Sequence, residues 1–130
     1  MKAIIDTAKI DVETRLSTLW TTVMFLMITI DVLGLYIPGA QEEVLKTAGK
    51  TPVDQLMLGA AVMMVLPITM IFLSRVLNQT VNRWANIIVS LITIVFVVGS
   101  YSAQLHYYFL GAIEVFTMLA IIWSAWKWRQ

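Results

Sequence analysis

Leu16 to Ile37 is a run of 22 residues carrying a single charge, Asp31, and three further long apolar runs follow it. As a helix rising 1.5 Å per residue, the first run reaches about 33 Å, enough to cross a hydrocarbon core of about 30 Å. In lipid every backbone N–H and C=O must be satisfied within the segment, so runs of this kind fold as helices. The expected fold class is therefore all-α, a transmembrane four-helix bundle forming a single domain over residues 1–130. The spans are expected at about residues 16–37, 53–77, 85–101 and 109–126. Composition agrees: 59% of the 130 residues are hydrophobic and 13% charged, against about 45–50% apolar and about 25% charged in soluble domains.

The segments between the runs carry their own signals. In residues 1–15, Ile4, Ala8 and Val12 recur at four-residue spacing among charged residues, which predicts a short interfacial helix leading into the first span. The first run is longer than the 7–15 residues of a signal-peptide core, so it is expected to be retained. Pro38-Gly39 stops the first span, and residues 41–48 are expected to form a second interfacial helix ended by Gly49, with Val44, Leu45 and Ala48 on the membrane surface as a lid. Thr51-Pro52-Val53-Asp54 has the form of a helix start, with an acid at the positive end of the helix dipole. Pro67 falls in the middle of the second span, where it removes a backbone hydrogen bond and is expected to bend the helix.

Charge placement predicts orientation. With four spans, the N-terminus, the second connection and the C-terminus share a side; they hold Lys2, Lys9, Arg15, Arg75, Arg83, Lys127 and Arg129, against Lys46 and Lys50 on the other side. The excess of cations predicts both termini in the cytoplasm, and Arg75 and Arg83 are read as topology determinants that meet lipid headgroups. Trp20, Trp84, Trp123, Trp126 and Trp128 then fall near the cytoplasmic ends, and Tyr36, Tyr101, Tyr107 and Tyr108 near the outer ends, as amphipathic rings do at an interface.

The stretch Pro67-Ile68-x-Met70-Ile71-x-Leu73-Ser74-Arg75, followed by Asn82-Arg83-Trp84-Ala85-Asn86, resembles a family of small bacterial four-span membrane proteins of uncharacterised function. The similarity takes in Leu16-Ser17-Thr18-Leu19-Trp20, Ile113-Glu114-Val115 and the closing Ile121-Ile122-Trp123-x-Ala125-Trp126-Lys127-Trp128. It implies a four-helix fold in the bacterial inner membrane and carries over no catalytic residue.

The candidate site rests on two intramembrane acids. Asp31 lies six residues inside the outer end of the first span and Glu114 six residues inside the outer end of the fourth at Tyr108, so each is placed about 9 Å below its helix end. An ionised acid facing lipid costs about 2.5–3.5 kcal/mol at mid-span, so both are expected to face inward. Spans one and four of a short-looped bundle are commonly neighbours. Two carboxyls brought together in a low dielectric do not both ionise readily. The expectation is an outward-opening polar pocket with Asp31 and Glu114 at its base, Ser100 and Gln104 on one wall, and Tyr36, Tyr101 and His106 at the mouth. Span one places Trp20, Met24, Met27, Asp31 and Gly34 at alternating four- and three-residue steps on one stripe, and span three adds Asn86, Ser90, Thr93, Val97, Ser100 and Gln104 as a polar stripe that should face the bundle.

Each of these residues also has a plainer role. The acids suit interhelical packing, the polar stripe suits ordinary hydrogen bonding, and His106 suits the interface. The recurring methionines suit gap-filling more than a soft-metal path, given no cysteine and one histidine. No metal site and no cofactor is expected, and the net charge of +1 gives no reason for nucleic-acid binding. The expected partners are membrane lipids, a small apolar or cationic ligand, and further copies of the chain or a larger membrane complex.

Three function classes follow. One is a small ligand-binding or proton-handling membrane protein, similar in architecture to small multidrug transporters but with a charge bias that forbids dual topology. The second is an accessory subunit of a quinone-linked or transport complex. The third is an intramembrane enzyme acting on lipid, which lacks a nucleophile motif, a metal cluster and a phosphate loop, so no reaction is assigned.

Overall fold

The computed structural model describes residues 11–99 and 104–128. They form five helices: α1 (Val12–Gly34), α2 (Ala40–Ala48), α3 (Val53–Val76), α4 (Gln79–Gly99) and α5 (Leu105–Lys127). Apart from the short α2, each is long and apolar enough to cross a membrane, and no strand occurs among the described residues. α1 packs along both α3 and α5, and α4 closes the ring between them, in up-and-down order. One end of the bundle carries Arg75, Arg83, Lys127 and most of the tryptophans and is called the basic end below. The opposite end carries Asp31.

Several boundaries differ from the sequence expectation, each for a local reason. Residues 1–10 of the first expected interfacial helix lie outside the described residues. Residues 12–15 belong to α1 itself, whose N-terminus is capped by Asp11 accepting from the Thr14 backbone N–H at 2.8 Å, so the helix starts earlier than Leu16. α2 occupies the place of the second interfacial helix. Gly39 precedes it at φ 79° and Gly49 follows it at φ 63°, left-handed conformations that favour glycine. α3 continues through Pro67 without interruption. α4 begins at Gln79, six residues before the expected start, because Asn82 is buried against Ser74 and Arg83 reaches α5. α5 begins at Leu105, so His106, Tyr107 and Tyr108 form its first turn.

The core follows from the spacing of the buried positions. They advance in steps of three and four: Trp20, Met24, Met27 and Ile30 on α1; Asn82, Asn86, Ser90, Thr93 and Val97 on α4; Ala125, Ile121, Met118, Glu114 and Gly111 on α5. Steps of this kind place one residue from each helix in successive layers. The register is pinned at both ends. Trp20 donates to Asn86 at 2.7 Å, Arg83 Nη2 donates to the Trp126 carbonyl at 3.0 Å, and the Tyr107 hydroxyl donates to the Val97 carbonyl at 2.8 Å. By this register Met24, Ser90 and Met118 share a layer, and Met27, Thr93 and Glu114 share the next one towards the Asp31 end.

α3 contributes least. It buries only Pro67, Met70 and Ser74, all in the half near the basic end, and leaves Val53, Met57, Leu58 and Val62 exposed. Exposed apolar side chains around the ring are what a helix bundle in lipid requires, since the surrounding solvent is itself hydrocarbon.

Candidate functional site

The most completely bonded polar group is a cluster in the half of the bundle near the basic end. Trp20, Ser74, Asn82 and Asn86 are all fully buried. Asn86 Oδ1 accepts from Trp20 Nε1 at 2.7 Å and from Ser74 Oγ at 3.2 Å. Its amide nitrogen donates to the Asn82 carbonyl at 2.7 Å and to Asn82 Oδ1 at 2.6 Å. Asn82 in turn donates to the Ser74 carbonyl at 2.7 Å, and nearby Ser17 Oγ donates to the Ile71 carbonyl at 2.8 Å. α1, α3 and α4 are thereby tied together, and Asn86 uses every donor and acceptor position it has. No polar side-chain atom of the cluster is without a hydrogen-bond partner, which makes it a structural clamp. Trp20, expected in an interfacial aromatic belt, is instead a core residue and the donor that joins α1 to α4. Sequence periodicity had placed Trp20 and Asn86 on inward stripes, but nothing in it paired them or brought in Ser74.

One layer further towards the Asp31 end, the bonding stops. Ser90 Oγ is buried with no hydrogen-bond partner, and in the next layer Glu114, 1% exposed, has Oε1 buried without a partner. Thr93 between them satisfies itself by donating to the Val89 carbonyl at 2.7 Å. Buried polar atoms are nearly always paired, because desolvation without compensation is costly. Arg83 Nε at the basic end is a third such atom, and Ser90 and Glu114, in adjacent layers, are the two inside the apolar part of the bundle.

The sequence candidates separate around this point. Glu114 faces the interior. Asp31 continues the inward stripe of α1 but is exposed, since the register sets it about one turn beyond Met27, at the open end of the bundle. The two acids are thus offset along the bundle axis instead of level. Tyr107 is part-buried between α4 and α5 through its bond to Val97. Gln104 and His106 are half-buried at the start of α5, and Tyr36 is 81% exposed in the turn after α1. Ser100 and Tyr101 lie outside the described residues.

The clear concavities are apolar grooves on the flanks of the bundle. One of about 400 Å³ runs between α4 and α5 and is lined by Val97, Tyr107, Gly111, Val115 and Phe116 among others. Another of about 470 Å³ lies between α3 and α4 beside Met63 and Phe96. Neither acid lines either groove.

At the basic end, Arg83 lies 5.6 Å from the centre of the Trp126 ring and 6.0 Å from that of Trp84, while Lys127 lies 4.3 Å from Trp123. Arg83 also satisfies the last turn of α5 through the Trp126 carbonyl, so it closes a helix C-terminus in addition to carrying charge. Arg75 is exposed. Among the described residues no three His, Cys, Asp or Glu side chains gather as a metal site.

No curated protein and no solved structure matches this sequence. The four apolar helices, their ring and the matched extent agree on a membrane-type helical bundle: residues 5–130 match the profile of DUF6326, a family of unknown function, and the chain belongs to that family.

Proposed function

We propose that this integral membrane protein binds a small cationic ligand at Glu114 in exchange for a proton, with Asp31 drawing the cation to the mouth. The observation that carries this reading is the unpartnered Oε1 of Glu114, buried among helices. A carboxyl in that position needs either a proton or a positive partner, because an unpaired charge in low dielectric is strongly disfavoured. Asp31, exposed one turn further out on the same inward stripe, supplies an attractive field along the approach. The satisfied Trp20–Asn86 cluster closes the other direction. The excess of cationic residues at the basic end supports placing that end and both termini in the cytoplasm of a bacterial inner membrane.

The test is proton release from the purified protein in nanodiscs on addition of a panel of monovalent cations, including tetraphenylphosphonium. The expected result is stoichiometric release that Glu114→Gln abolishes and Asp31→Asn weakens. Release that survives Glu114→Gln would refute the assignment.

A second reading, a subunit of a larger membrane complex, draws on α3. No residue of that helix before Pro67 is fully buried within the chain, which leaves a face for another membrane protein. Mild-detergent purification that yields a stoichiometric partner supports it, and a lone species counts against it.

A further inference from the structure

The side chains around Glu114 point to what the cation is. Met24, Met27, Met70 and Met118 belong to one contiguous buried cluster, with Met64 packed against it. Met24 and Met27 come from α1, Met118 from α5 and Met70 from α3, so three helices deliver thioethers to the same two or three layers. Met118 and Glu114 are successive inward positions of α5, and Met27 shares the layer of Glu114 by the register set out above. As gap-filling residues these methionines need no polar neighbour. Here Glu114, whose Oε1 is buried with no hydrogen-bond partner, lies one turn along α5 from Met118.

That donor set is chemically selective. Magnesium and calcium ions need about six oxygen ligands or more, and the layer offers one carboxylate and the Thr93 hydroxyl, with the unpartnered Ser90 hydroxyl in the layer beside it. Thioether sulfur is a soft ligand that suits Cu(I) and related d¹⁰ monovalent ions. One such ion also carries the single positive charge that Glu114 lacks, leaving a neutral pair inside the bundle.

We propose that Met24, Met27 and Met118, together with Glu114, form a binding site for one soft monovalent metal ion, Cu(I) or Ag(I). This rests on the reading of Glu114 as a cation site and names its ligand. The thioethers hold the ion, the carboxylate balances its charge, and Asp31 gathers it at the exposed end.

The experiment titrates the full-length protein in nanodiscs with Ag(I), and anaerobically with Cu(I) against a chromophoric chelator, with sulfur ligation read by X-ray absorption. The expected result is one equivalent bound with sulfur neighbours. Met27→Leu/Met118→Leu, which conserves volume, and Glu114→Gln should each weaken it by at least about 10-fold, the low end of what loss of a merely supporting contact around a metal costs. An unchanged melting temperature in the leucine variant establishes that its effect is not unfolding. Equal silver affinity in the leucine variant, or no sulfur neighbours, overturns the metal site. If silver fails while another cation releases a proton in a Glu114-dependent way, the metal inference falls and the cation site stands. If no cation depends on Glu114, both fall.

Discussion

Replacing Asn86 by leucine, which has a similar volume, removes four hydrogen bonds among buried groups at once. In a membrane each interhelical side-chain bond contributes about 0.6 kcal/mol on average and at most about 1.7, so the two that join α4 to α1 and α3 contribute about 1.2 kcal/mol, the other two lying within α4. What is left behind sets the rest. The Ser74 hydroxyl can turn to a carbonyl of its own helix. Trp20 Nε1 is fully buried and its donor has no second acceptor, which costs a further 1–3 kcal/mol or so. The expected loss is therefore about 2–4 kcal/mol, a large share of the roughly 5–15 kcal/mol by which domains are stable. Reversible unfolding in bicelles, followed by steric trapping, measures it. Trp20→Phe alone should lose about 1–2 kcal/mol, and the double variant should lose less than the sum, because both remove the same bond. A destabilisation of Asn86→Leu below about 0.5 kcal/mol, or strict additivity with Trp20→Phe, would refute the view that this cluster holds α1 and α4 together.

Glu114→Leu should act in the opposite sense. It removes an unsatisfied buried group and should leave the bundle unchanged or more stable by about 1–3 kcal/mol in the same assay, while abolishing cation-linked proton release. Asp11 gives a pH dependence at the start of α1. Hydrogen bonds from the Thr14 side chain and backbone hold its carboxyl below the ordinary value of 3.8, so the cap is fully present above that value and is lost as pH falls through the lowered one. Amide exchange at Thr14 in acid should rise selectively, and Asp11→Ala should abolish that response. For topology, reporter fusions at residues 79 and 128 should report the cytoplasm and a fusion at residue 50 the opposite side. Uniform reporting from all three would contradict the charge rule.

The number of membrane-type helices was legible in the sequence because length and apolar content are local quantities, and the backbone in lipid has few other ways to satisfy itself. The stripes were legible for a similar reason. Trp20, Met24 and Met27, or Asn86, Ser90 and Thr93, follow from helical period alone. Ends were less legible. Gln79 to Trp84 read as a polar connection, yet it is helical since Asn82 and Arg83 find partners on α3 and α5. No window of sequence contains those partners.

The candidate site divides along the same line. That Asp31 and Glu114 are exceptional, and that neither has a basic residue nearby in the chain to neutralise it, was determined by the sequence itself, since an acid within an apolar span is costly wherever it faces. Which one is buried was decided by tertiary structure: the register of four helices closes over Glu114 and leaves Asp31 at the open end. Satisfaction of a polar group depends on atoms from other helices, so Asn86, a polar residue on a stripe, is fully bonded through Trp20, Ser74 and Asn82. Ser90, one turn along the same stripe, is left without a partner. The methionines divided likewise, because periodicity placed each on its own helix face and only the packing of α1, α3 and α5 gathered them into one buried cluster.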